Sequence, residues 1–200
     1  MKTLLLILLL VPMMSFGQNN YSMSFDGVDD YVGLTPIDLS NSNEITLMSW
    51  FNIQNLQGNE WSTIIRQEAG EPNFLLKFNN FGNNLEFNIE DDTGTNFSFS
   101  ISISPSSLEG DWHNISATYD GNYQKIYIDG LLVGDNLISG GNIAYGNGGN
   151  PIFLSLGAMY SSSGNINEVT NGSLDDIQVW GTSLTQQEIQ QYMDCPPTGN

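Results

Sequence analysis

The sequence has very few cations. Four Lys and Arg stand against 22 Asp and Glu in 200 residues, which gives a formal net charge of −18. Lys2 lies in the N-terminal segment, so Arg66, Lys77 and Lys125 are the only cations beyond it. Proteins bind nucleic acid and anionic lipid surfaces through Lys and Arg. The composition therefore argues against both as partners, whereas Ca²⁺ and neutral sugars are compatible with so acidic a surface.

Cysteine and histidine occur once each, as Cys195 and His113. A single cysteine excludes an internal disulfide, so Cys195 is a free thiol or pairs outside this chain. The same count excludes a zinc site built from His and Cys ligands. A Ser or Cys nucleophile would have only His113 as its base, and His113 alternates in step with Ile115 and Ala117. We therefore expect a structural, inward-facing or half-buried histidine.

No apolar run is long enough to cross a membrane, since a spanning helix needs roughly 20 apolar residues. The run from Leu4 to Val11 follows Lys2 and precedes the small residues Ser15 and Gly17, a pattern typical of a signal peptide. We expect residues 1–17 to be removed. The sequence thus predicts export to the periplasm, the cell surface or the medium, without membrane insertion.

Short runs of alternating polar and apolar residues fill the rest of the chain, separated by Gly, Asn, Asp and Pro. This period of two predicts an all-β sandwich or barrel with about a dozen strands. One short C-terminal helix is also predicted, because Thr185 and Glu188 form a capping box ahead of Ile189. Residues 18–194 have the length of one domain. Residues 195–200 are expected to begin a linker or tail.

Six segments in order resemble the laminin-G-like, concanavalin A-like jelly-roll domain of bacterial secreted proteins. They are SFDGVDDYV, EITLMSWF, DWHNISATYDG, QKIYIDG, SLDDIQVW and TSLTQQEI. The resemblance implies two face-packed antiparallel sheets of six or seven strands, with the first and last strands adjacent. It also implies binding of carbohydrate or protein, often with Ca²⁺. Some glycoside hydrolases and polysaccharide lyases share this fold.

Three aspartates crowd the stretch FDGVDDYV, at Asp26, Asp29 and Asp30. Asp and Gly are common turn residues, so a simple turn is one interpretation. The other is a Ca²⁺ site, because the resemblance places the last strand, with Asp175, beside the first. Carboxylates of Asp26 and Asp175, together with turn carbonyls, are the oxygen ligands that Ca²⁺ takes. We expect such an ion to be structural.

Glu86, Asn88 and Glu90 alternate along LEFNIE and so share one face of a strand. The spacing resembles the E-x-D-x-E strand of laminarinase-type hydrolases, in which one carboxylate attacks the sugar and the other donates a proton. Asn88 stands where that pattern has Asp and cannot tune its neighbours' charge. Glu86 and Glu90 are therefore only weak candidates for catalysis, and a solvated strand face is the preferred interpretation.

Aromatic side chains offer flat apolar faces on which sugar rings stack. Trp61, Tyr145 and Tyr160 lie at loop or strand-end positions among Asn, Ser and Gly, whose side chains hydrogen-bond to hydroxyls. We predict these three as ligand-binding anchors, although an ordinary loop has the same composition.

These patterns together predict a non-catalytic recognition module for a glycan or for a cell-surface or extracellular protein. A glycoside hydrolase or polysaccharide lyase on the same fold is the first alternative. An adhesion or spacer domain without a small ligand is the second, because one sandwich fold hosts many functions.

Overall fold

The computed structural model describes residues 21–146, 151–160 and 164–193. The predicted signal peptide, and the predicted linker with Cys195, lie outside the described residues. So does part of the Gly- and Asn-rich segment near residue 148. The described ranges hold fourteen strands and one α-helix, together with short 3-10 helices at Leu56–Gly58 and Pro105–Ser107.

The strands are short, as the alternating runs predict. In chain order they are β1 (Met23–Asp26), β2 (Val32–Leu34), β3 (Ile45–Ile53), β4 (Ser62–Glu68), β5 (Pro72–Asn79), β6 (Asn84–Glu90), β7 (Asn96–Ser102), β8 (His113–Tyr119), β9 (Tyr123–Ile128), β10 (Leu131–Leu137), β11 (Phe153–Leu156), β12 (Met159–Tyr160), β13 (Ile166–Asn167) and β14 (Asn171–Trp180). The helix α1 spans Gln186–Tyr192.

Two six-stranded antiparallel sheets make the body of the domain. The first has the order β1-β14-β3-β8-β9-β10, and the second has the order β2-β11-β4-β5-β6-β7. Strands β12 and β13 form a small separate pair. Because β1 pairs with β14, the two ends of the domain lie side by side. The predicted jelly-roll sandwich with adjacent terminal strands is therefore confirmed.

The core lies between the two sheets and follows from the alternation. On β5 the side chains of Phe74, Leu76 and Phe78 point inward and are buried, and Phe87 of β6 and Phe51 of β3 meet them. Each fully buried side chain of this size contributes about 2 kcal/mol to folding. Every second residue of these strands consequently faces away from the core, and on β5 and β6 these outward residues are polar except for Leu75.

The helix α1 begins as the sequence predicts. The Thr185 side chain accepts a hydrogen bond from the Glu188 backbone N–H, and the Glu188 carboxylate accepts one from the Thr185 N–H at 2.8 Å. Ile189 and Leu184 are buried together beneath the helix. Both side chains pack against Met48 and Tyr127, so α1 lies against the outside of the first sheet.

His113 is half-buried at the start of β8, and its Nδ1 lies 2.8 Å from an Asp129 carboxylate oxygen. The same carboxylate accepts a hydrogen bond from the Asn114 N–H, so the contact fastens the turn between β9 and β10. This agrees with the structural role predicted for the histidine. Among the described residues, no helix is long and apolar enough to span a membrane.

Candidate functional site

The outward surface of the second sheet carries the polar side chains that the alternation leaves there. The strand register sets Lys77 beside Glu86, and Leu75 beside Asn88. We call this surface the outer polar face, formed by Arg66, Glu68, Asn73, Lys77, Asn79, Glu86, Asn88 and Glu90. Residues on three neighbouring strands thus meet on one surface, as in a cross-strand ladder.

Both cations of the outer polar face are held by carboxylates. Arg66 Nε contacts Glu68, and its Nη1 donates to Glu168 Oε2 at 3.2 Å. Lys77 Nζ donates to Glu168 Oε1 at 3.1 Å. Glu168 comes from the segment between β13 and β14 and has a positive φ of 52°, an unusual conformation for a non-glycine residue. All four side chains are largely buried, so the ion pairs are shielded from solvent.

Glu86 lies at the more open side of this face. One carboxylate oxygen accepts from Ser98 Oγ at 2.8 Å, and the other accepts from Asn79 Nδ2 at 2.7 Å. Lys77 Nζ is 4.0 Å from Glu86. Ser98 belongs to the edge strand β7 and is exposed. Glu86 is therefore positioned by fixed donors next to a surface that solvent reaches.

Three amide oxygens on the outer polar face are buried yet accept no hydrogen bond from any described residue: Asn73 Oδ1, Asn79 Oδ1 and Asn88 Oδ1. Buried polar atoms in proteins almost always have a partner, because an unpaired one loses the hydrogen bonds that water would give it. Asn73 is 0% exposed and Asn88 is 8% exposed. The face is therefore rich in acceptors that lack donors.

Glu90 is buried at the far end of β6 and accepts a hydrogen bond from Asn73 Nδ2 at 3.3 Å. Burial raises the pKa of Glu90, the Asn73 hydrogen bond opposes this, and the nearby charges of Glu71 and Asp91 raise it further. Burial likewise raises the pKa of Glu68, against the opposing charge of Arg66.

The prediction of a solvated face for the LEFNIE strand is wrong. Asn88 and Glu90 are buried and Glu86 is half-buried. The alternation correctly places all three side chains on one face, but the side chains crowd one another, and Glu168 lies over the neighbouring cations.

Two of the three predicted aromatic anchors flank the outer polar face. Trp61 directly precedes β4 and is 43% exposed, with Lys77 Nζ 5.7 Å from its ring centroid. Tyr145 is 38% exposed and lines a cavity of 370 Å³ at the other end of β6. Glu90 also lines this cavity, so the cavity adjoins the face. The six residue steps of β6 give the outer polar face a length of about 20 Å along that strand.

The acidic turn after β6 shapes the cavity. Burial works to raise the pKa of Asp91, but hydrogen bonds from the Thr93 side chain and from the N–H groups of Thr95, Gly141 and Thr93 together lower it below its usual value. Asp91 thus ties the turn to the segment that leads to Tyr145.

Tyr160 does not join Trp61 and Tyr145 as a free ring. Its ring stacks on Tyr31, with centroids 4.8 Å apart and planes 8° apart, and Phe153 approaches it edge-on at 5.4 Å. One face of the Tyr160 ring is therefore already covered by Tyr31 and does not offer a stacking surface for a sugar.

A larger cavity of 480 Å³ opens between the two sheets, but its lining is apolar except for Asp176. Asp176 is the one carboxylate in that lining, and burial, followed by the charge of Asp175, raises the pKa of Asp176. This cavity lacks the convergent polar groups with which a site fixes a hydroxylated ligand.

The register separates the two aspartates predicted to share a Ca²⁺ ion. Asp26 lies opposite Asn171, while Asp175 lies four positions further along β14, opposite Trp50. Four strand residues span about 13 Å. The strands are adjacent as expected, but the structure does not bring Asp26 and Asp175 together.

The structure instead groups Asp26 with Asp29 and Asp30, whose carboxylate oxygens lie within 4.8 Å of one another. Asp26 accepts from the Val28 N–H at 2.8 Å, and Asp30 accepts from the Asp26 N–H at 2.9 Å, which are turn-stabilising hydrogen bonds. All three aspartates are exposed, and none forms an ion pair in the described part of the chain. Three carboxylates are the ligand type that Ca²⁺ takes, although its full shell needs six to eight oxygens.

Sequence comparison identifies the family. The model of the concanavalin A-like lectin/glucanases superfamily, in its laminin G group, matches residues 26–190. The chain belongs to this superfamily. No curated protein sequence matches it at a significant level.

Several solved structures share the superfamily fold at low identity. The ligand-binding domain of botulinum neurotoxin serotype D, solved with N-acetylneuraminic acid, has a TM-score of 0.61 and 16% identity over 88% of this chain. NanB sialidase from Streptococcus pneumoniae has a TM-score of 0.63 and 16% identity over 84%. This chain covers only 43% of the toxin domain and 27% of the sialidase.

The third structure is closer to this chain in length. It is a heptameric SAP-like pentraxin from Limulus polyphemus, with a TM-score of 0.59 and 16% identity over 86% of this chain and 80% of its own. At such identity these structures show the shared fold.

Sequence reasoning missed Arg66, Lys77 and Glu168 as members of the site. The two cations stand out in so acidic a chain, at polar positions of neighbouring strands, and that signal was available. The position of Glu168 was not, because it depends on how the segment after β13 lies over the sheet.

Proposed function

We propose that this domain binds carbohydrate, without catalysis, on the outer polar face between Trp61 and Tyr145. The observation that carries this proposal is the set of buried amide oxygens, on Asn73, Asn79 and Asn88, that accept no hydrogen bond from a described residue. Sugar hydroxyls are donors of the right kind for such acceptors. These oxygens are closed off from solvent, so a ligand hydroxyl donates to them only after neighbouring side chains move aside, and it would then restore hydrogen bonds that the protein alone leaves unmade.

The flanking aromatic residues support the same proposal. Small-ligand sites combine apolar and aromatic surface with a few fixed polar groups. Trp61 offers an exposed ring on which the C–H face of a sugar ring stacks, and Glu86, held by Ser98 and Asn79, accepts hydrogen bonds from hydroxyls beside it. Tyr145 would provide a second contact beyond Glu90, at the other end of β6, and the length of that strand, about 20 Å, suits an oligosaccharide rather than a single sugar.

The structural comparisons give limited additional support. The neurotoxin domain was solved in complex with N-acetylneuraminic acid, and the NanB protein is a sialidase, so one protein that contains this fold binds a sugar and another acts on one. Because each of those proteins is far longer than the matched region, their activities are not transferred to this chain.

A panel of soluble polysaccharides tests the proposal, by affinity electrophoresis followed by calorimetry on any that retard the protein. Trp61→Ala should weaken binding about 30-fold, as expected for a central aromatic contact, while leaving the fold intact. Tyr123→Ala is the matched control, since Lys125 lies over its ring in the same way but on the first sheet. A panel without binding to the folded protein would contradict the proposal and favour an adhesion domain for an extracellular protein.

A second candidate function is glycoside hydrolysis. It is favoured by the raised pKa of Glu90, since a general acid needs such a shift, and by the shared strand face of Glu90 and Glu86. A reducing-end assay on every polysaccharide that binds separates the two functions. Turnover that disappears in both Glu86→Gln and Glu90→Gln would establish a hydrolase, whereas a binding module shows none in the parent protein.

We also propose a structural Ca²⁺ ion at the turn of Asp26, Asp29 and Asp30. These carboxylates would hold the ion, with water completing its shell, and the bound ion would offset their mutual repulsion. Its role would be to stabilise the turn after β1.

The N-terminal pattern of residues 1–17 supports the further proposal that the domain acts outside the cytoplasm, and cell fractionation tests it.

A further inference from the structure

The cations of this domain are all occupied. In the part of the chain that the structure describes, Arg66 and Lys77 contact Glu68, Glu86 and Glu168, and the remaining cation is Lys125. Lys125 lies on the first sheet and is 3.8 Å from Asp120. Proteins recognise carboxylated ligands mainly through Arg and Lys that are free to pair with them. Lys125 lies away from the outer polar face, and neither of the two cations on that face is free in that sense.

The charge on the outer polar face is negative. Two cations stand against the carboxylates of Glu68, Glu86, Glu90 and Glu168. The whole chain adds to this, with a net charge of −18. A ligand carboxylate placed here would meet like charges at low exposure, where solvent screens little.

The hydrogen-bonding groups of the outer polar face also argue against a ligand carboxylate. Glu86 presents carboxylate oxygens at the open side of the face, and the unpaired oxygens of Asn73, Asn79 and Asn88 lie buried in the same face. An ionised carboxylate is an acceptor only, so it has nothing to offer these atoms. A hydroxyl donates and accepts, and it carries no charge that must be desolvated.

We infer that the outer polar face selects neutral saccharides and rejects acidic ones such as uronic and sialic acids. This inference rests on the proposed carbohydrate binding at the same face. It predicts a ligand class different from that of the neurotoxin domain solved with N-acetylneuraminic acid. The raised pKa values of Glu68 and Glu90 fit an environment that already disfavours negative charge.

Oxidation of a neutral polysaccharide supplies a matched pair of ligands. Laminarin, galactomannan and xyloglucan would be tested beside the same polymers after oxidation of their C6 hydroxyls to carboxylates, with polygalacturonate and sialyllactose as natural acidic probes. We expect at least one neutral polymer to bind, and its oxidised form to bind at least about tenfold more weakly, because like-charge contacts are costly.

The Glu168→Gln variant tests the cause of the selectivity. It removes one charge of the ion pairs and partly releases Lys77 and Arg66, so the ratio of the affinity for the oxidised polymer to the affinity for the neutral polymer should rise at least about threefold. Glu44→Gln is the control, because Glu44 contacts Thr182 and Ser183 in the segment between β14 and α1, and its loss changes the net charge equally.

The outcomes separate the two proposals. No binding to any probe would overturn the carbohydrate-binding proposal itself. Binding that depends on Trp61 but is equal or stronger for acidic probes would leave carbohydrate binding standing and overturn the selectivity. An equal gain in Glu168→Gln and Glu44→Gln would show that net charge, rather than the occupied cations, sets the preference, and would also overturn it.

Discussion

Lys77 Nζ donates to Glu168 Oε1 at 3.1 Å, although 91 positions separate the two residues in the chain. The same carboxylate accepts from Arg66, so one side chain from the segment after β13 binds the cations of two neighbouring strands. Glu168 therefore fixes the charge pattern of the outer polar face.

Replacing Glu168 with Ala should destabilise the domain by about 3 kcal/mol, because it leaves two largely buried cations with fewer partners. Chemical denaturation followed by tryptophan fluorescence measures the loss. Lys125→Met is the control, since its contact with Asp120 is about one-third exposed and such pairs contribute less than about 1 kcal/mol. Equal effects of the two substitutions would show that Glu168 has no special role.

The raised pKa of Glu90 makes a prediction about pH. Because the folded state binds this proton more tightly than the unfolded state, the Glu90 contribution to stability grows as pH falls from 7 towards the ordinary glutamate value of 4.5, and is lost as pH rises through the folded-state pKa. Glu90→Gln removes this dependence. Its destabilisation relative to the parent should therefore be greater at pH 5 than at pH 7, and a difference of the opposite sign would contradict the assignment.

The Asn88 side chain should contribute more to carbohydrate binding than to the stability of the fold. Leu in its place removes a buried acceptor without a partner, so Asn88→Leu should leave the free energy of unfolding unchanged or raise it by about 1 kcal/mol, while weakening carbohydrate binding. Asn114 is the matched control, because it is also buried but accepts from Ser116 Oγ at 2.9 Å. Asn114→Leu should destabilise the domain, and the reverse ranking would contradict the argument.

Calcium should raise the melting temperature through the turn of Asp26, Asp29 and Asp30. At a hundredfold excess over the dissociation constant, an ion that binds only the folded state adds about 2.7 kcal/mol. Asp30→Asn should diminish the shift between Ca²⁺ and chelator, whereas Asp175→Asn should retain it because Asp175 lies four positions away along β14. A melting temperature that Ca²⁺ does not change would exclude the ion.

The sequence predicts the fold well because the fold depends on local patterns. Alternation identifies strands such as LEFNIE, the Thr185–Glu188 pair identifies the start of α1, and segments in order identify the jelly roll. Which residues share a face also follows, since it depends only on a period of two.

The site depends on contacts between segments that are far apart in the chain, and the alternation of polar and apolar residues does not predict such contacts. The pairing of Asp26 with Asn171 is a matter of register, the covering of Tyr160 by Tyr31 joins residues far apart in the chain, and the burial of Lys77 requires Glu168 to lie over the sheet. These contacts arise when separate segments pack together. They explain why the predicted aspartate pair and the predicted solvated face were wrong while the strands were right.

Titration of ¹⁵N-labelled protein with the neutral oligosaccharide that binds most tightly tests the central claim most directly. Binding on the outer polar face predicts that the Trp61 indole N–H signal and the side-chain amide signals of Asn79 and Asn88 shift together, with one dissociation constant. Shifts confined to the turn of Asp26, Asp29 and Asp30, with those signals unchanged, would contradict it.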